Sequence, residues 1–97
     1  MMELGELIRS ARERKGLLMR ELAAKIEVDI AQISRFEKGD RRPTKEQIGK
    51  LIDVLQLEKE EVLTLWLSNK IMNDIEGEEV ALQALKMVQK RIKKRKD

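Results

Sequence analysis

The sequence has no cysteine, no histidine and no tyrosine, and only one proline, one phenylalanine and one tryptophan in 97 residues. Without Cys or His there is no zinc finger, no thiol or Ser/His/Asp nucleophile and no histidine-based pH switch. No disulfide can brace the fold, so nothing requires an oxidising compartment. Long hydrophobic runs are missing too, which excludes a membrane span, and the opening Met-Met-Glu-Leu-Gly-Glu lacks the basic and apolar blocks of a leader. The expected setting is the cytoplasm, with no membrane partner.

What is present is charge and aliphatic surface in equal measure. Charged residues make up 40% of the chain and hydrophobic ones 41%, too apolar a balance for a disordered polyelectrolyte. The net charge of +3 is unevenly spread: residues 1–50 carry 12 Lys/Arg against 9 Asp/Glu, residues 51–89 carry 3 against 8, and residues 90–97 carry 6 against 1. A basic front, an acidic middle and a basic tail imply different tasks. The tail, Lys90 to Lys96, is either a phosphate-seeking patch or a solvated helix end whose cations suit the C-terminal dipole.

Apolar residues recur at helical spacing and no stretch alternates with strand period, so the expected fold is all-α. Leu4, Leu7, Ile8 and Ala11 mark a first helix that ends at Lys15-Gly16. Leu22, Ala23 and Ile26 mark a short second one. Asp29 can cap a third, with Ile33 and Phe36 inward and Gly39 as its stop. After the loop Gly39-Asp40-Arg41-Arg42-Pro43, Thr44-Lys45-Glu46-Gln47 matches a capping box and starts a fourth helix whose core positions are Ile48, Leu51, Ile52 and Leu55. Glu58, Glu60 and Glu61 fall in the first turn of a fifth, running to about Asn73, and Gly77 separates it from a sixth over roughly residues 78–95.

Residues 16–39, GLLMRELAAKIEVDIAQISRFEKG, resemble the helix-turn-helix of phage repressor and Cro-type regulators, the XRE family. The resemblance covers about residues 3–57. Ala23 stands where two helices cross closely, Leu22 and Ile26 face the core from the first helix of the pair, and Ile33 and Phe36 from the second. It implies a lambda-repressor-like domain of four to five helices over residues 1–57, with residues 58–97 as a helical extension for dimerisation that ends in the basic tail.

In such proteins the second helix of the pair lies in the major groove. The resemblance then makes residues 30–37 the recognition helix and leaves Ile30, Ala31, Gln32, Ser34 and Arg35 outward as base readers. Phosphate contacts are expected from Arg20, Lys38, Arg41, Arg42 and Lys45. The family pattern also pairs an arginine of the first helix, here Arg12, with the glutamate before the Lys-Gly end of the recognition helix, here Glu37.

Two departures stand out. Many members carry Gln where this chain has Met19 and Ile30. Either Ile30 and Ala31 read thymine methyl groups, leaving Arg35 with Gln32 as the hydrogen-bonding readers, or Ile30 packs on Met19 and touches no base. Glu27 stands where the family often has Gly, so a left-handed residue there costs about 1 to 2 kcal/mol.

The fifth helix carries two apolar stripes: Val62, Leu65, Trp66 and Met72 on one side, and Leu63, Leu67, Ile71 and Ile75 on the other. One stripe can cover the small domain. The other asks for a partner, either the sixth helix of the same chain, with Ala81, Ala84, Leu85, Val88 and Ile92 in helical register, or a second chain. Two-fold symmetric operators favour a homodimer interface at Leu63, Leu67, Ile71 and Ile75. LTLWLSNKI followed by ALQALKMVQ also resembles the extension of small regulators encoded beside DNA methyltransferases and restriction enzymes.

The expected function is therefore a sequence-specific regulator on double-stranded DNA, with no catalytic activity, cofactor or metal. The rival is an antitoxin-like module whose C-terminal helices engage another protein. An enzyme reading is poor because the clustered carboxylates fall at helix starts, where capping and dipole account for them.

Overall fold

A computed structural model describes residues 2–96. Among these, six helices and no strand are found: α1 (Leu4–Arg14), α2 (Met19–Ile26), α3 (Ile30–Lys38), α4 (Lys45–Leu55), α5 (Lys59–Ile75) and α6 (Ala81–Lys96). Local chemistry sets most of the ends. Asp29 Oδ1 accepts from the Gln32 amide at 2.8 Å and starts α3. Thr44 Oγ1 accepts from the Gln47 amide at 3.1 Å while Gln47 Oε1 accepts from the Thr44 amide at 2.9 Å, a reciprocal box that fixes the start of α4. Glu58 accepts from the Glu61 amide at 2.6 Å and starts α5. At α2 only half of such a box exists, because Glu21 takes the Leu18 amide at 2.8 Å and a leucine side chain has nothing to offer in return.

The described residues fall into two compact units, the first ending at Leu67 and the second beginning at Ser68. In the first, α1 packs on α3 and α4, and α2 packs on α3 and α4. The core they enclose holds Leu4, Ile8, Ala11, Leu22, Ala23, Ile26, Ile33, Phe36, Ile48, Leu51, Ile52 and Leu55, joined by Val62 and Trp66 of α5. Each is on the inward stripe that the spacing predicts. The boundary expected after Leu57 gives way to one inside α5, because Val62 and Trp66 are buried in the same core and Leu63 and Leu65 pack against it.

The second unit holds the rest of α5, a turn at Glu76 to Val80, and α6. The sixth helix begins at Ala81, later than expected. Gly77 has φ +85°, and the Glu78 carbonyl accepts from the Ala81 amide, so residues 78–80 complete the turn. No residue of α6 is buried. No described helix is long and apolar enough to cross a membrane.

Candidate nucleic-acid interface

A three-residue turn, Glu27-Val28-Asp29, joins α2 to α3. Glu27 adopts φ 62° and ψ 45°, the left-handed region that glycine occupies without cost. What holds it there is the Val28 amide returning to the Ala23 carbonyl at 3.0 Å, and the cap from Asp29 directly after. Ala23 is buried, as a close helix crossing needs.

Helix α3 presents its outer side as the motif implies. Ile33, Phe36 and Glu37 are buried; Ile30, Ala31 and Arg35 are exposed, and Gln32 and Ser34 half-buried. Ile30 keeps 51% of its surface exposed, whereas Met19 packs against the core, so an apolar side chain is exposed at the head of the helix. Gln32 is steadied by a neighbour that the sequence did not single out for this task. Gln47 Nε2 donates to Gln32 Oε1 at 3.5 Å, while the same glutamine caps its own helix. Its place in the capping box was visible in the sequence; its second contact depends on how α4 crosses α3.

The inner side of α3 is anchored by charge and by a tight contact. Arg12 of α1 donates from Nε to Glu37 Oε2 at 2.7 Å and from Nη2 to Oε1 at 3.2 Å, and its Nη1 reaches the Leu17 carbonyl at 2.8 Å. The two side chains are 11% and 3% exposed, so the fork is almost wholly enclosed, and each of the three guanidinium nitrogens makes one hydrogen bond. The hydrogen bonds that Arg12 donates to Glu37 outweigh the opposing effect of burial, raise the Arg12 pKa above its ordinary value and keep it cationic. Gly5 was overlooked because it sits inside a helix with no turn to announce it. A Cβ on Gly5 would collide with the Glu37 carbonyl oxygen and come within 2.7 Å of that of Phe36, so α1 rests backbone to backbone on the end of α3.

Five cations flank this helix along the chain. Arg20 is the second residue of α2, Lys38 ends α3, Arg41 and Arg42 are in the loop after it, and Lys45 opens α4; all five are exposed, and none forms an ion pair with a described residue. The loop is fastened from below. Trp66 Nε1 donates to the Pro43 carbonyl at 2.7 Å in a buried contact, and the Asp40 and Arg41 amides return to the Arg35 carbonyl at 2.9 and 3.3 Å. Trp66 therefore has a positioning role besides its core packing: it fixes the base of the segment bearing Arg41 and Arg42. Exposed cations flanking a helix whose N-terminal side chains point outward fit a duplex, with phosphate contacts setting register and the helix reading base edges.

The family model described as helix-turn-helix matches residues 8–62, more than half of the chain. The chain belongs to this family. It is an all-helical, DNA-binding transcription regulator of the XRE type, with α2 and α3 as the helix pair. Two crystal structures of the clp gene regulator ClgR from Corynebacterium glutamicum are similar to it. One is 29% identical, covering 68% of this chain and 86% of that one with a TM-score of 0.56. The other is 27% identical, covering 92% and 84% with a TM-score of 0.58. No curated protein matches.

In this regulator the four residues expected at a dimer interface do not share one environment. Leu63 packs against the core of the first unit, Leu67 and Ile71 are 48% and 38% exposed, and Ile75 is half-buried. Met72, placed by the sequence on the core stripe with Val62 and Trp66, is exposed and belongs to the second unit.

Proposed function

We propose that the regulator binds an inverted-repeat operator as a homodimer, each chain placing α3 in the major groove with half-site centres about 34 Å apart. The observation that carries this reading is the outer side of α3, where Ile30, Ala31 and Arg35 are exposed beside the half-buried Gln32 and Ser34 while Glu37 and Gly5 fix its inner side. Arg35 is the bidentate reader of guanine, Gln32 is held ready by Gln47, and Ile30 with Ala31 takes thymine methyl groups. Arg20, Lys38, Arg41, Arg42 and Lys45 take phosphates, which makes affinity fall steeply with salt. The second chain is held through Leu67, Ile71 and Ile75, with Leu63 contributing its outer edge. The setting is the cytoplasm, the reading head is the first unit, whose core takes in Val62 and Trp66 of α5, and the rest is the dimerising extension.

Selection of bound duplexes from random DNA tests the reading, followed by titration of the selected site across salt and a search for it upstream of the chain's own gene and of neighbouring restriction-modification genes. An inverted repeat bound with a steep negative salt slope supports it. Salt-independent binding, or binding to single strands only, overturns it. The exposed apolar residues of α6, Leu82, Met87, Val88 and Ile92, favour one second reading, an antitoxin-like partner surface. Sedimentation of the purified chain separates the two, since a stable dimer without added protein leaves that surface no need of a foreign partner.

A further inference from the structure

The second unit carries a pattern that the dimer reading alone does not use. Helix α6 has seven Lys/Arg and no acid between Ala81 and Lys96, whereas Asp74, Glu76, Glu78 and Glu79 crowd the segment just before it with no cation among them. At 1.5 Å per residue the run Lys90 to Lys96 lies about 14 to 23 Å along the helix from its acidic start. Among the described residues, neither block forms ion pairs within the chain. Ala81, Leu85, Val88 and Ile92 form one narrow apolar stripe along the helix, with Val88 and Ile92 exposed.

We infer that α6 packs antiparallel against α6 of a second copy, the basic end of each helix lying on the acidic turn of the other. This rests on the homodimer reading above and adds its geometry. The stripe is unchanged by reversal: turned end for end, it sets Ala81 against Ile92 and Leu85 against Val88. The same register brings Arg95 onto the turn residue Glu78 of the second copy. Apolar and charge patterns, which are independent features of the sequence, thus select one alignment. A parallel pair would stack two blocks of like charge within a Debye length, and would also align the helix dipoles. The antiparallel pair relieves both.

The absence of cysteine makes the test clean. Two full-length variants, Ala81→Cys and Ile92→Cys, are mixed, exchanged and bridged by oxidation or a short bismaleimide, and the products are weighed. Antiparallel packing gives chiefly the mixed product. In parallel, charge is probed through dimer dissociation: Glu78→Lys and Arg95→Glu each weaken the dimer about threefold to tenfold at low salt, and the double variant returns to within about twofold of the parent. Circular dichroism and a cooperative thermal melt confirm that each variant is folded. If the parent sediments as a dimer but the bridged products are only Ala81→Cys with itself and Ile92→Cys with itself, or the double variant is weaker than both singles, the antiparallel arrangement is wrong while the dimer stands. A parent that stays monomeric at every concentration and on DNA overturns both.

Discussion

Two glycines lie inside helices, and the same substitution should act on them with opposite sign. Gly49 of α4 has nothing within 4 Å of where a Cβ would be, so Gly49→Ala gains helix propensity and loses unfolded-state freedom at no steric cost. That stabilises by about 0.4 to 1 kcal/mol. Gly5 of α1 offers the same gain, but its Cβ would overlap the Glu37 carbonyl oxygen and stand 2.7 Å from that of Phe36 and 2.9 Å from the Glu37 carbonyl carbon. These are backbone atoms of α3 and cannot rotate away. To reach ordinary contact the two helices must part by about an ångström, and overpacking of this kind costs about 1 to 3 kcal/mol. The gain is common to both, so the two alanine variants should differ by about 1 to 3 kcal/mol, which at 4 to 8 °C per kcal/mol is a gap of at least about 4 °C in Tm. Urea melts with a common m-value measure it directly. Because α3 is the element displaced, Gly5→Ala should also weaken operator binding although Gly5 touches no DNA. Equal stability of the two variants would refute the close seating of α1 on α3.

Glu37→Ala leaves the enclosed Arg12 guanidinium with one partner, the Leu17 carbonyl, and should lower stability by about 3 kcal/mol, the low end for a broken buried pair; Arg12→Met with Glu37→Leu should regain part of it in the same melts. Arg35→Ala should lose about 1 to 3 kcal/mol of discrimination at one base position, while Arg41→Ala should weaken operator and random duplex alike, as paired titrations will show. A chain cut after Leu67 should fold and sediment as a monomer, whereas one cut after Leu57 loses Val62, Trp66 and the hydrogen bond to Pro43 and should melt at a markedly lower temperature.

The parts of this regulator legible in its sequence are those governed by near neighbours. Helical spacing of Leu4, Ile8 and Ala11 or of Ile48, Leu51, Ile52 and Leu55 names the buried side because a helix turns by a fixed angle, and Asp29 and Thr44 name helix starts because their oxygens reach only three residues on, whereas Glu58, expected in the first turn, caps it from the residue before. What escaped depends on how one helix crosses another. Gly5 carries no local signal, since its role exists only where α3 lies against it, and the second use of Gln47 exists only where α4 passes Gln32. The position of Trp66 on an apolar stripe suggested packing, but its indole N–H needed an acceptor, and the Pro43 carbonyl, in a loop with no helical partner for its backbone, supplied it. That bond moves the end of the first unit into α5 and ties the loop bearing Arg41 and Arg42 to the core. The two left-handed residues make the same point from the other side. Glu27 and Gln56 both stand at φ near 60° without being glycine, each closing a helix with its backbone amide returned to a carbonyl four residues back, so a local cost is accepted where it fixes the angle between successive helices. At Glu27 that angle is the one between α2 and α3, on which the presentation of Ile30, Gln32 and Arg35 to a groove depends.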